Sequence, residues 1–275
     1  MAENVPDQND LPEIELMIKA STVNGRRRGA CLFCHEYFME LYLLAEIRLI
    51  SLKVSTIDTL KYPEEFRRTF GVSPPPILVD NGLAILDNEK IETHIMKNIP
   101  GGHNLFVHDK PVSTLVESVY SKLKLMLTMK DDAAKGPLVA QLKKIDHHLA
   151  VTGFRFLTGD TLSNYDCELM PRLQHIRVAG IYFHNFDVPH DLIHLWCYIH
   201  RMYSLDAFTQ SCPADQDLIG LYKMQQGQPN NRKEELNAPT YNTSIPAVVS
   251  SQFEASMLCT LHINFTHNFF FPLFV

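Results

Sequence analysis

Gly29-Ala30-Cys31-Leu32-Phe33-Cys34-His35-Glu36-Tyr37-Phe38-Met39-Glu40-Leu41-Tyr42-Leu43-Leu44 is the stretch on which the fold turns. Its two cysteines, with two residues between them, follow a short alternating pattern and stand where a helical pattern begins. The first N–H groups of a helix lack partners within it and carry partial positive charge, so a sulfur placed there is held as thiolate, the form that attacks. Cys31 is expected to be the exposed first sulfur. Cys34 lies one turn on, within reach to resolve a mixed disulfide formed at Cys31. Along the helix expected from Cys31 to Ile47, Cys34, Phe38, Leu41 and Ala45 share one face, with Tyr37, Leu44 and Tyr42 beside them. Glu36 and Glu40 share the other, the pattern of a helix packed on a sheet.

Outward from this stretch, Glu13 to Ala20 alternates as a first strand and Asn24-Gly25 punctuates the loop between. Ile50 to Asp58 alternates as a second strand, and Pro63 to Phe70 suits a short helix ended by Gly71. Pro74-Pro75-Pro76-Ile77-Leu78-Val79-Asp80-Asn81-Gly82-Leu83-Ala84-Ile85-Leu86 reads as strand, Asn-Gly hairpin, strand. Asp87-Asn88-Glu89-Lys90-Ile91 opens another helix, where Asp87 and Asn88 can cap it or bind the γ-glutamyl end of glutathione. This βαβ–ββα order resembles a thioredoxin-like domain, placed at residues 13–98. By order along the chain, Pro76 stands where such folds set a cis-proline facing the active cysteine.

Residues 1–12 are polar and expected to be disordered, and 99–110 read as a linker containing Pro100-Gly101-Gly102. From 111 to 226 helical periodicity takes over, with helices expected over Val112–Met129, Lys135–Leu149, Tyr165–Gly180, Leu192–Tyr203 and Gln216–Gln225. Ser163-Asn164-Tyr165-Asp166 has the form of a capping box. The fold class is therefore an α/β thioredoxin-like domain followed by an all-α one. Residues 227–275, ending in a Phe-rich run too short to span a bilayer, are read as a divergent and mostly disordered tail.

Composition narrows the function classes. A chain of 275 residues, 45% hydrophobic and 20% charged, can bury a sizeable core. A net charge of −6 gives no reason to expect nucleic acid, and the one basic cluster, Arg26-Arg27-Arg28, reads as a solvated loop. Six scattered cysteines do not make a secreted disulfide scaffold, and Met1-Ala2-Glu3-Asn4 lacks the features of a signal peptide, so a cytoplasmic setting is expected. The histidines have no metal-ligand spacing, and no metal is expected.

A thioredoxin-like domain followed by a helical one is the layout of soluble glutathione transferases, and particular phrases narrow the resemblance further. Gly29 to Cys34, Pro75 to Asp80, Asp87 to Ile91, Tyr165 to Leu173 and Ser211 to Asp217 resemble the chloride intracellular channel family, most closely its insect-like members, over residues 13–226. The resemblance implies a soluble monomer with glutathione as cofactor or protein thiols as partners. Cys31 and Cys34 would do the thiol chemistry, and Cys31, Phe33, Pro76, Ile77, Asp87 and Asn88 would bind glutathione. It also implies membrane lipids as partners after an oxidative or acid trigger, an oligomeric chloride-conducting form, and a membrane segment running from Cys31 to Val54. This chain has Cys31-Leu32-Phe33-Cys34 where the vertebrate pattern is Cys-Pro-Phe-Ser, which adds a second thiol.

The Cys31 to Val54 segment contains Glu36, Glu40, Glu46, Arg48 and Lys53, and a central charge of this kind costs about 2.5–3.5 kcal/mol on the insertion scale. Insertion would have to be preceded by refolding, because the second half of the segment reads as a strand of the same sheet. The resulting expectation is a cytoplasmic protein that associates reversibly with membranes and forms a triggered ion channel. A glutathione-dependent thiol oxidoreductase and a non-catalytic scaffold for cytoskeletal or trafficking proteins are the alternatives.

Overall fold

The computed structural model describes residues 11–129, 132–228 and 238–251. It opens with β1 (Glu13–Lys19), α1 (Leu32–Glu46), β2 (Ser51–Ile57), α2 (Glu64–Phe70), β3 (Ile77–Asp80), β4 (Leu83–Ile85) and α3 (Asn88–Asn98). The strands form one sheet in the order β2-β1-β3-β4. β1 runs parallel to β2, a pairing that requires a crossover, which α1 supplies. β3 is antiparallel to both β1 and β4. Period-two patterning sends Ile14, Leu16 and Ile18 of β1 to one face, where they pack with Leu41 of α1 and Ile91 and Ile95 of α3. Met17 points to the opposite face and meets Ile57, Phe66 and Ile77 beneath α2. The hairpin between β3 and β4 turns on Asn81 and Gly82, at φ +47° and +82°, the left-handed pair that a type I′ turn requires.

The remaining helices are α4 (Gly102–Leu105), α5 (Lys110–Glu117), α6 (Val119–Thr128), α7 (Lys135–Thr152), α8 (Asn164–His184), α9 (Ile193–Tyr203), α10 (Asp206–Ser211) and α11 (Asp215–Gln225). Three features depart from expectation. The helical pattern from Val112 to Met129 is two helices meeting at Ser118, although Val112, Val116, Val119 and Leu123 are all buried and keep an unbroken apolar rhythm. The expected linker contains α4, entered through Gly101 at φ +77°, while Gly102 approaches the carbonyl of Ile95 so closely that a side chain would collide with it. The single short turn of α10 has too little periodicity to be read.

α8 is buried along most of its length and is the axis of the helical domain. At its start the Asp166 carboxylate accepts from the N–H and hydroxyl of Ser163, both at 2.9 Å, and from the N–H of Leu157 at 3.0 Å. Asp166→Ala strands these donors in the interior and should lower the unfolding free energy by about 2–4 kcal/mol in urea denaturation.

α1 belongs to both halves. Leu41 and Leu44 pack on the sheet, while Met39 is part of the helical domain's core with Leu43 against it. The face carrying Glu36 and Glu40 therefore meets α8, and both carboxyls are buried. The tail assigned to disorder is docked in its described part. The Asp215 N–H donates to the Thr240 carbonyl at 2.9 Å, the Asn242 N–H to the Asp215 carboxylate at 3.0 Å, and Val249 is wholly buried. Hydrogen bonds to its main chain and two apolar anchors, Ile245 and Val249, hold it, and neither kind of tie registers in composition. Residues 1–10 and 252–275, including the Phe-rich end, lie outside the described residues. Among those described, no helix is long and apolar enough to cross a membrane.

Candidate thiol site

Cys31 occupies the N-cap of α1 with extended backbone at φ −86° and ψ 121°, and its side chain is half-buried. It is delivered there by the loop that leaves β1. The Gly29 N–H donates to the Lys19 carbonyl at 2.8 Å, closing that loop at its base. A side chain at Gly29 would meet the Ala20 carbonyl at 2.5 Å, so only glycine fits.

The Cys31 thiol is lowered to about 6, first by a hydrogen bond from the Cys34 thiol, against the opposing pull of burial. The Lys19 charge and the N–H groups of Cys34 and Phe33 add to the lowering. Cys34 is 1% exposed, its sulfur accepts the Lys19 N–H at 3.4 Å, and burial together with the neighbouring Cys31 sulfur pushes its thiol well up. Both are free cysteines. Near neutral pH the pair is therefore a half-buried thiolate, less exposed than its place in the sequence suggested, over a protonated thiol beneath. That asymmetry suits nucleophilic attack by the first and resolution by the second.

Cys31 opens into a cavity of about 350 Å³ between the two halves, bordered by Lys19 and Phe33 on one side and by Tyr120, Leu221 and Met224 on the other. Phe33 is 42% exposed and stacks on Tyr37 at 6.2 Å between ring centroids. The Tyr37 hydroxyl donates to the Asn88 carbonyl at 3.0 Å, tying α1 to the start of α3. Of the other residues expected to bind glutathione, Pro76 follows a cis Pro75–Pro76 bond at the head of β3 and is buried. The Ile77 side chain lies wholly in the core, leaving only its backbone for a ligand. Asp87 caps α3, accepting the Lys90 N–H at 3.1 Å, and borders a separate depression with Lys90 and His94. The structure thus gathers Cys31, Cys34 and Phe33 at one site and sets Asp87 at another. The cavity thus sets the Cys31 sulfur and the Lys19 side chain opposite an apolar wall.

Sequence reasoning missed Lys19 and the helical-domain wall. A basic residue closing the strand before the cysteine loop was a usable signal; Tyr120, Leu221 and Met224 carried none. It also took Arg26-Arg27-Arg28 for a solvated loop, whereas Arg27 forms a bidentate pair with buried Asp217 and Arg28 donates to the Cys212 carbonyl at 3.2 Å.

A second group of titratable side chains lies where α1 meets α8. Arg172 contacts Glu168 at 2.9 Å and Glu36 at 3.6 Å. Burial pushes Glu36 up to about 8 even beside Arg172, and burial together with the neighbouring Glu36 raises Glu40 well above the ordinary carboxylate value. His35 packs 5.3 Å from the Phe208 ring with neither nitrogen hydrogen-bonded among the described residues, and burial lowers it well below its ordinary value. Burial likewise lowers His175, whose Nδ1 lies 2.8 Å from the Tyr222 hydroxyl, to about 3.

Comparison with known proteins places this geometry among relatives. Residues 12–100 match the family described as the CLIC-like N-terminal domain. The chain is 63% identical over 241 residues to "Chloride intracellular channel Clic" of Drosophila melanogaster, covering 88% of this chain and 93% of that protein. It is 37% identical over 278 residues to "Chloride intracellular channel exc-4" of Caenorhabditis elegans, covering 92% of this chain and 94% of that one. The crystal structure of the C. elegans homologue EXC-4 superposes with a TM-score of 0.83 at 37% identity, over 90% of this chain and 99% of that one. Dehydroascorbate reductase of Chlamydomonas reinhardtii shares the fold, with a TM-score of 0.63 at 18% identity, over 77% of this chain and 97% of that one.

Proposed function

We propose, from the premise that this chain belongs to the chloride intracellular channel family, that it is a thiol-responsive member which conducts ions in membranes once a trigger opens the fold described above. Chloride is the expected ion and the cytoplasm the expected resting place. Oxidation at Cys31 or acidification is the expected trigger. The observation that carries this reading is the lowered Cys31 thiol at the head of α1, because α1 is also the first part of the segment from Cys31 to Val54 that would have to move. That segment is now a helix enclosed by both halves, followed by a strand paired with β1 from Ser51 to Ile57. Five ionisable side chains and a row of ladder hydrogen bonds oppose its insertion, so conductance should require the trigger.

The test is chloride efflux from vesicles incubated with purified protein, with and without oxidant, at pH 7 and pH 5. Efflux under either trigger and none without is the expected result. Silence under both would sink the channel reading.

The buried second thiol favours a further reading, disulfide exchange in the resting fold. The Cys31 thiolate attacks a disulfide RS–SR′, forming Cys31–S–S–R and releasing R′S⁻, which takes up a proton. The Cys34 thiol loses its proton and attacks the Cys31 sulfur, forming a Cys31–Cys34 disulfide and releasing RS⁻. The substrate gains two electrons and the protein loses two, and an external thiol such as glutathione restores the dithiol. Cys31, Lys19 and Phe33 are the residues that would hold that thiol.

A further inference from the structure

The loop between Lys19 and Cys31 is held from outside its own domain. Its two legs are cross-linked by the Ser21 N–H donating to the Arg27 carbonyl at 2.7 Å and by a bridge between Ala20 and Arg28. A single carboxylate then grips both legs. Asp217, in the first turn of α11 and 1% exposed, accepts the Ser21 hydroxyl from one leg. From the other leg it takes the Arg27 guanidinium in a two-point contact, Nε to Oδ2 and Nη2 to Oδ1, both at 3.1 Å. Planar, bidentate, buried pairing of this kind fixes direction as well as distance.

We propose that Asp217 is the positioning residue of the thiol site: by stapling both legs of the loop it holds Lys19 and the Cys31 cap in register, so that thiol reactivity in one domain depends on contact with α11 of the other. The inference rests on the reading of Cys31 as the reactive thiol. Val23 is the loop's one buried apolar side chain between Ala20 and Ala30, and Ser21 and Arg27 stand within the loop, between the two groups whose spacing matters. Without the carboxylate, the Arg27 guanidinium is left partly buried and unpaired, a state the loop can leave only by swinging outward. Lys19 and the helix start then no longer bracket the sulfur. Because α11 belongs to the helical domain, separating the domains would relax the thiol, and binding in the cavity between them, which Asp217 also borders, would tighten it.

The experiment is iodoacetamide alkylation of Cys31 in the full chain, followed by peptide mass spectrometry across pH 4.5–9.5 and compared among wild type, Asp217→Asn, Arg27→Lys and Asp187→Asn. Asp187 pairs with Arg177 inside the helical domain at 3.2 Å, so its variant reports general loss of stability. Asp217→Asn should raise the alkylation midpoint by about one pH unit, roughly tenfold slower labelling below the wild-type midpoint, with a smaller shift in the same direction for Arg27→Lys and none for Asp187→Asn. Arg27→Lys carries the test if Asp217→Asn does not fold. A depressed wild-type midpoint left in place by both loop variants, or moved equally by Asp187→Asn, would overturn the clamp alone. A wild-type midpoint at the ordinary thiol value would overturn the Cys31 reading, and the clamp with it.

Discussion

Cys31→Ser should reduce disulfide exchange to the uncatalysed background, a loss of about 10³-fold or more, because a hydroxyl at a helix start is neither ionised near neutral pH nor able to form the mixed disulfide. The variants at Cys34 should separate its two roles. Its thiol is the largest contributor to lowering Cys31, through the hydrogen bond it donates, and it is also the resolving sulfur. Cys34→Ser keeps a donor but removes the resolving sulfur, so the first attack should proceed and the mixed disulfide accumulate, visible as a mass adduct on intact protein. Cys34→Ala removes both, and the alkylation midpoint of Cys31 should climb from about 6 towards the ordinary thiol value of 9.0. Exchange that survives in Cys31→Ser would remove Cys31 as the nucleophile. Equal midpoints in the Ser and Ala variants would instead show that the lowering comes from the helix start and Lys19.

The halves of this molecule differ in how far their sequence could be read, for physical reasons. The sheet was legible because Ile14, Leu16 and Ile18 alternate, Asn81-Gly82 can turn a hairpin, and Asp87 can cap: each signal is local and each residue does what its own chemistry dictates. Cys31 was legible for the same reason. The fate of Glu36 and Glu40 was not, since a charged helix face looks solvated until Arg172 and Glu168, far along the chain, are brought beside it. The same blindness affected Arg27, whose partner Asp217 is 190 residues away. Val249 fills a space that exists only once α8 and its neighbours have assembled. What the sequence withheld was in each case a polar group or an anchor whose partner comes from a distant part of the chain.

The buried groups between α1 and α8 should give the fold a stability plateau bounded on both sides by titration. His175 has an ordinary value of 6.5 and is held to about 3, so the unfolded chain gains a proton near 6.5 that the folded chain refuses. Stability is complete above that range and falls as pH drops towards 3, by about 2 kcal/mol at pH 5 from this group alone. His35 adds a loss in the same direction, faced by Phe208 from α10, His175 from α8 and Arg28 from the loop, none of which can accept its proton's charge. The glutamates act oppositely. Glu36 is raised from 4.5 to about 8, so the unfolded chain releases a proton that the folded chain keeps, and stability falls as pH rises between those values, by on the order of 4 kcal/mol at pH 8. Between about 4.5 and 6.5 the two slopes oppose each other, and outside that window one acts without the other. Urea unfolding from pH 4 to 8.5 should therefore show a maximum inside the window. Glu40→Gln should remove part of the alkaline loss and raise stability at pH 8, and His35→Phe should remove part of the acid loss. Acid-triggered binding to vesicles should follow the buried histidines and not these glutamates. Glu36 and Glu40 already hold their protons when the pH starts to fall, so further acid does nothing to them, while His35 gains a charge that only an opened interface can solvate. If Glu40→Gln shifted the acid threshold and His35→Phe did not, the direction of this coupling would be refuted.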